Sequence, residues 1–298
     1  MKYVIFDCDC TYGVKGCDVD DGMALMYLLA DPDTKLLGVT TTYGNSREEI
    51  VYEALMRLLK HLGRTDIPVI RGGNAEGVYN SAASEFIASM SREYEGRLSL
   101  LGTGSTTNIG GAYFRDPMVF PRLREMVFMG GITEPLVFAK RIMDELNFSC
   151  DPKATEAMLT HGNNVSVITG NNCLKVLFTK EDYERRFDGT LPIVKFIRST
   201  TDYWFDDNDD TYGIKGFYNW DITAAAYLLH PELFDDVKVR CRITEETLKT
   251  GFLNPVTEGE TCSLNLPCVQ DEELFKQNLF ECLSRLSVTR EALEELKE

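Results

Sequence analysis

The chain has 298 residues, with 47 Asp and Glu against 31 Lys and Arg and a formal charge of −16. Phosphate binding through a diffuse basic surface needs clustered Lys and Arg, so this balance excludes a nucleic-acid partner held in that way. With 44% hydrophobic and 10% aromatic residues, the chain carries enough apolar surface for one large domain and is no disordered acidic tail.

From the N-terminus, short apolar runs alternate with amphipathic stretches. Tyr3 to Phe6 reads as a buried strand, Asp20 to Ala30 as a helix, Leu36 to Thr41 as a strand and Arg47 to Leu62 as a helix. The alternation continues through strand Pro68 to Ile70, helix Ala82 to Tyr94, strand Leu98 to Leu101 and helix Thr107 to Phe114. Strand Met126 to Met129, helix Pro152 to Thr160 and strand Val165 to Thr169 follow. Alternation at this spacing implies βαβ units, hence an α/β fold with an open, mostly parallel, Rossmann-like central sheet flanked by helices. The stretch from Phe178 to Tyr218 is richer in aromatics and acids and lacks strand runs. It predicts a mainly helical region, 178–218, capping one edge of the core. No repeat, low-complexity tract or Pro/Gly linker divides the chain, so residues 1–298 are expected as one domain.

In open parallel sheets, sites form at the carboxyl ends of strands. Polar residues just after each strand should therefore converge: Asp7 and Asp9, Thr42 to Asn45, Thr103, and Gly130 onward. The segment DCDCTYGVKGCDVDD concentrates Asp7, Asp9, Asp18, Asp20 and Asp21 within fifteen residues. Acids this dense repel unless protons or a cation compensate, and a hard divalent cation with oxygen ligands would do so. Asp20 and Asp21 also open a helix, whose dipole favours them there.

The opening MKYVIFDCDC is not a charged-then-apolar leader, and no apolar run approaches the roughly 20 residues that cross a bilayer. A soluble, cytoplasmic protein without a membrane partner is expected. Nine cysteines are scattered from Cys8 to Cys282 without a framework spacing. They read as thiols in a reducing compartment, and the Cys8, Cys10, Cys17 cluster as small buried side chains rather than a thiolate metal site. His61, His161 and His230 read as structural, two of them at helix ends.

Five segments in order carry a resemblance. DCD with VDDGMALMYLL, LLGVTTTYGN, LLGTGSTTNIGGAYFRDP, MVFMGG with DELNFSCDPKA, and YNWDITAAAYLL together resemble the nucleoside hydrolase family of the inosine-uridine preferring type. The resemblance implies a Ca2+ ion held by Asp9, Asp21, the Thr103 carbonyl and Asp221, with Asp7 behind the cage. It implies that Asp9 takes the proton of the attacking water, that Asp20 grips the ribose 2′-hydroxyl, and that Asn45, Glu145 and Asn147 hold the other sugar hydroxyls. The expected reaction is calcium-dependent hydrolysis of ribonucleosides to ribose and free base, by a homo-oligomer, dimer or tetramer.

The departures from that pattern are specific. Seven extra residues separate Asp9 from the Asp20–Asp21 pair. Trp220 stands where many members place a leaving-group His, and resembles the purine-specific branch in which an indole stacks on the base. Ala139 stands where many place an Asn, and the 74–81 region is shortened, leaving Tyr79 as its aromatic. If Trp220 has no such role, base preference falls to an Asp206–Asp210 loop or to Tyr79. VIFDCDCT also resembles the opening of haloacid dehalogenase-type phosphatases, which would make Asp7 a nucleophile, Asp9 the acid/base and magnesium the metal. A third reading is a non-catalytic, calcium-stabilised nucleoside-binding protein.

Overall fold

Successive side chains of a strand point to opposite faces, and the first strand, Lys2–Cys8, uses both. Val4, Phe6 and Cys8 pack into one apolar cluster and Ile5 into another on the opposite face of the sheet. The protein is described by a computed structural model covering residues 1–259 and 261–296.

Eight strands form one sheet in the order Lys238–Cys241, Cys262–Asn265, Val165–Ile168, Glu125–Met129, Leu98–Gly102, Lys2–Cys8, Thr34–Thr41, Val69–Ile70. Neighbours run parallel except the edge pair Lys238–Cys241 with Cys262–Asn265. The chain turns one way from Lys2–Cys8 to reach Thr34–Thr41 and the other way to reach Leu98–Gly102. The carboxyl ends of Lys2–Cys8 and Leu98–Gly102 therefore flank the crevice where ligands of such sheets bind.

Two helices are buried almost all round. Asp20–Ala30 leaves only Leu29 outside its buried set, and Trp220–Leu229 packs against it with eight buried residues. The first opens on Asp20 and Asp21 and the second carries Asp221 directly after Trp220, so their amino ends bring acids into an otherwise apolar layer.

The expected strands and helices are present with ends shifted by one or two residues. Region 178–218 contains the helices Lys180–Arg186 and Pro192–Tyr212. Asp206–Asp210 is a correction: it is not a loop but part of the Pro192–Tyr212 helix, whose Phe205 and Asn208 are buried. The edge strands after residue 230 were not anticipated, because they are short and mixed in polarity.

The Lys180–Arg186 helix is anchored by a buried charge pair. Lys276 lies 2.9 Å from Asp182 and 2.7 Å from Glu272, and Asp182 also closes a capping box with Thr179. Burial pushes the Asp182 carboxyl up, but Lys276 and the Thr179 bonds hold it lower still, at about 2. A depressed carboxyl gives stability that is complete above its unfolded value near ~4 and is lost as pH falls toward the folded value. Lys276→Met keeps the stem and leaves the carboxylate to Arg186 at 3.4 Å, Arg185 at 3.6 Å and the Thr179 bonds. It should cost about 1–2 kcal/mol, read as a lower denaturant midpoint at neutral pH with the loss shrinking below pH ~3.

Candidate active site

At the carboxyl ends of the strands a cavity of about 300 Å³ opens between the sheet and the Pro192–Tyr212 helix. Asp20 and Asp221 line it, and the carboxylates of Asp20, Asp21 and Asp221 place ligand atoms within 4.8 Å of one another. The two buried helices account for this. Their amino ends meet, and the Asp221 N–H donates to Asp20 Oδ2 at 3.0 Å, so the amino end of the second helix points positive charge at an acid of the first. Neither Asp20 nor Asp21 caps its helix through a side chain; Val19 holds the cap position, and Asp18 Oδ1 accepts the Val19 N–H at 2.6 Å.

Asp9 follows the first strand and is buried beside this group. Its Oδ2 accepts the Asn45 N–H at 2.6 Å, and the Asn45 amide lies 3.4 Å from Asp9 Oδ1 and 3.5 Å from Asp21 Oδ2. A Cβ on Gly44 would sit 2.0 Å from Asp9 Oδ2, so only glycine lets that turn deliver the N–H. Thr103 touches Asp21 through its side chain, with Oγ1 donating to Asp21 Oδ1 at 2.6 Å. The sequence reading assigned that residue only a backbone role.

Burial pushes the Asp9 carboxyl up to about 7 and raises Asp20, Asp21 and Asp221, with nearby aspartate charge adding to it: Asp21 on Asp20, Asp9 on Asp21, and Asp20 on Asp221. The charges acting on Asp9, Asp21 and Asp221 are those of other aspartates. Asp20 Oδ1 is buried with no hydrogen-bond partner. Crowded, buried, uncompensated carboxylates with an orphaned oxygen fit a hard divalent cation held by oxygen donors.

Asn147 and Glu145 both line the cavity. The Asn147 amide donates to the Met129 carbonyl at 3.1 Å. Glu145 is more engaged than expected: its carboxylate accepts the N–H groups of Gly131, Phe148 and Ser149 at 2.8–2.9 Å, which shapes the loop that carries it. Trp220 lines the cavity at 9% exposure, 5.1 Å from the Tyr218 ring.

Asp7 lies behind the site. It is fully buried, and its Oδ1 accepts from Thr40 and from the Asn108 amide at 2.9 Å. Held by Thr40 and Asn108, Asp7 makes no contact with the carboxylate group or with cavity-lining Asn45, and the family match reported below overturns the phosphatase reading built on it. Tyr79 does not line the cavity; its hydroxyl donates to Asp151 at 3.0 Å, which removes it as a determinant of base preference. Ala139 is likewise outside the lining, and neighbouring Lys140 donates to the Asp209 and Asp210 carbonyls at the end of the long helix.

The inserted residues after Asp9 fold back onto the start of the Asp20–Ala30 helix. Gly22 has no Cβ to obstruct Tyr12, which packs where a Cβ would lie 2.4 Å away. The Tyr203 hydroxyl pins the loop through the Val14 and Cys17 carbonyls at 3.2 and 2.7 Å. Gly16, Cys17 and Asp18 thereby line the cavity, and Cys17 is half-exposed where Cys8 and Cys10 are buried as expected. Trp204, Asn208 and Tyr212, spaced four residues apart on one helix face, form the opposite wall. Sequence reasoning missed them; their signal was that helical spacing within an acid-rich stretch.

Among the described residues, no helix is long and apolar enough to cross a membrane. A probable uridine nucleosidase of Oryza sativa subsp. japonica is 25% identical over 264 residues, covering 78% of this chain and 80% of the relative. The pyrimidine-specific ribonucleoside hydrolase RihA of Escherichia coli O1:K1 / APEC is 26% identical over 263 residues, covering 79% and 82%. The solved structure of a purine-preferring ribonucleoside hydrolase from Gardnerella vaginalis superposes with a TM-score of 0.81 at 21% identity, covering 95% of this chain and 99% of that one, a likeness of fold. Residues 4–278 match the inosine-uridine preferring nucleoside hydrolase family along nearly the whole chain. With its acids gathered at the strand ends, the chain belongs to that family and is a nucleosidase, hydrolysing the N-glycosidic bond of ribonucleosides.

Proposed function

We propose that the protein is a calcium-dependent ribonucleoside hydrolase that favours purine nucleosides. The observation carrying this reading is the convergence of Asp20, Asp21 and Asp221 at the amino ends of two buried helices, with Asp9 alongside. Asp21 and Asp221, joined by Asp9 and the Thr103 carbonyl, would hold the ion. When bound, calcium supplies positive charge that makes a nearby water easier to deprotonate, though less so than zinc would. Asp9, placed beside the ion's ligands, takes that water's proton. Asp20 accepts the ribose 2′-hydroxyl, and Asn45, Glu145 and Asn147 orient the remaining hydroxyls. The reacting sugar gains oxocarbenium character, so fixed carboxylates stabilise it more as the bond breaks than before.

The purine preference rests on Trp220. An indole at the cavity wall stacks better on a larger flat base. Trp220→Ala should therefore cost inosine about 1–3 kcal/mol in kcat/KM and uridine much less. An equal fall for both substrates, with a lower melting temperature, would make Trp220 a packing residue and leave base preference to the Trp204–Tyr212 wall.

A further inference from the structure

The inserted loop, residues 10–18, contains no strand or helix, so its position depends on what lies beside it. One bond closes its base: Thr11 Oγ1 donates to the Asp18 carbonyl at 2.9 Å. The rest of its seat is one face of the Pro192–Tyr212 helix. The Tyr12 ring packs on Phe196 with centroids 6.0 Å apart, and Gly13 lies over the Thr200 methyl. The Tyr203 hydroxyl donates to the Cys17 carbonyl at 2.7 Å and shares that proton with the Val14 carbonyl at 3.2 Å. Phe196, Thr200 and Tyr203 are spaced four and three apart, as neighbours on one helix face are. The next residue, Trp204, begins the cavity wall that Asn208 and Tyr212 continue. Tyr203 therefore fastens two walls of the cavity to each other.

The inner end of the loop adjoins the site. Gly16, Cys17 and Asp18 line the cavity, and Asp18 Oδ1 accepts the N–H groups of Val19 at 2.6 Å and Asp20 at 3.3 Å. Moving Cys17 moves Asp18, which borders the residue assigned to the ribose 2′-hydroxyl. Asp21 is braced independently, by the Thr103 hydroxyl and by the buried helix behind it. We propose that Tyr203 is a positioning residue for sugar binding, whose hydroxyl holds the inserted loop against the cavity and thereby sets how tightly a nucleoside binds. It acts through the loop and takes no part in bond cleavage, a role that rests on the hydrolase reading above.

Tyr203→Phe keeps the ring edge-on to Trp204 and deletes only the hydroxyl. An interaction that serves the bound substrate and the transition state alike raises KM when it is lost and spares kcat. In the intact protein with calcium, KM for each nucleoside cleaved and the inhibition constant of free ribose should rise together, by about three- to tenfold, with kcat within about twofold of wild type. Cys17, half-exposed on the loop, reports the movement: its alkylation by iodoacetamide, read on the peptide that contains it, should become faster. Arg57→Met is the control, because Arg57 holds the loop only at the Gly13 carbonyl, at 3.3 Å and outside the cavity lining; KM should stay near wild type. A KM and ribose inhibition constant unmoved by Tyr203→Phe, unchanged Cys17 alkylation, or an equal rise in KM from Arg57→Met overturns the role and leaves the hydrolase reading intact. A fall in kcat at constant KM with a lower melting temperature also overturns it, making Tyr203 a packing residue. Wild-type protein that releases no ribose from inosine or uridine overturns the hydrolase reading itself.

Discussion

Asp21→Ala should reduce ribose release from inosine by about 10³-fold or more, because the loss of an ionic ligand removes several kcal/mol of charge stabilisation from the reacting sugar and water. The second readout is stability. An ion that binds only the folded state adds about 2.7 kcal/mol at a hundredfold excess over its Kd, so calcium should raise the Tm of the wild type. That calcium-dependent rise should vanish or shrink sharply in Asp21→Ala, since Asp9 and Asp221 are then left to hold the ion without the third carboxylate. An Asp21→Ala protein that shows the full calcium-dependent rise would remove Asp21 from the ligand set.

Asp9→Asn should lower kcat by about 10²–10⁴-fold with KM nearly unchanged, the loss expected of a general base. The substitution preserves shape and leaves an oxygen to accept the Asn45 N–H, so the turn that presents it should persist. The calcium-dependent rise in Tm separates two parts of the assignment. A smaller rise gives Asp9 a share in holding the ion, and an intact rise confines it to proton transfer. A kcat within tenfold of wild type would place the base elsewhere.

Much of this arrangement was legible before any coordinates because buried parallel strands and amphipathic helices differ in period. Val4, Phe6 and Cys8 announce one face of a strand and Ile5 the other, and the rule that sites gather at strand ends then pointed to Asp9, Asn45 and Thr103. The same local patterns say nothing about which strands become neighbours, so the meeting of Asp20 with Asp221, about two hundred residues away, depended on a resemblance rather than on periodicity. Bonding partners were hidden too. Glu145 was expected only as a partner of sugar hydroxyls, yet its oxygens satisfy three backbone N–H groups that the loop would otherwise bury. Asp206–Asp210 looked like a loop because charge dominated its composition. The helix is held through its other face, where Thr201, Phe205 and Asn208 are buried, and its solvent face is free to be acidic. The inserted loop showed in the sequence only as extra length between Asp9 and the Asp20–Asp21 pair, whereas Gly22 and Tyr203 give it a fixed seat and make it part of the cavity wall.

The central claim is that these gathered acids serve metal-dependent cleavage of a nucleoside, and ribose release tests it most directly. Protein dialysed into calcium is incubated with inosine and uridine, then with a chelator, then with calcium restored, while free sugar and free base are both measured. The account predicts equal amounts of ribose and base from at least one nucleoside, loss of both on chelation and recovery on calcium return. Absence of sugar release in calcium, or release that continues undiminished in the chelator, would contradict it.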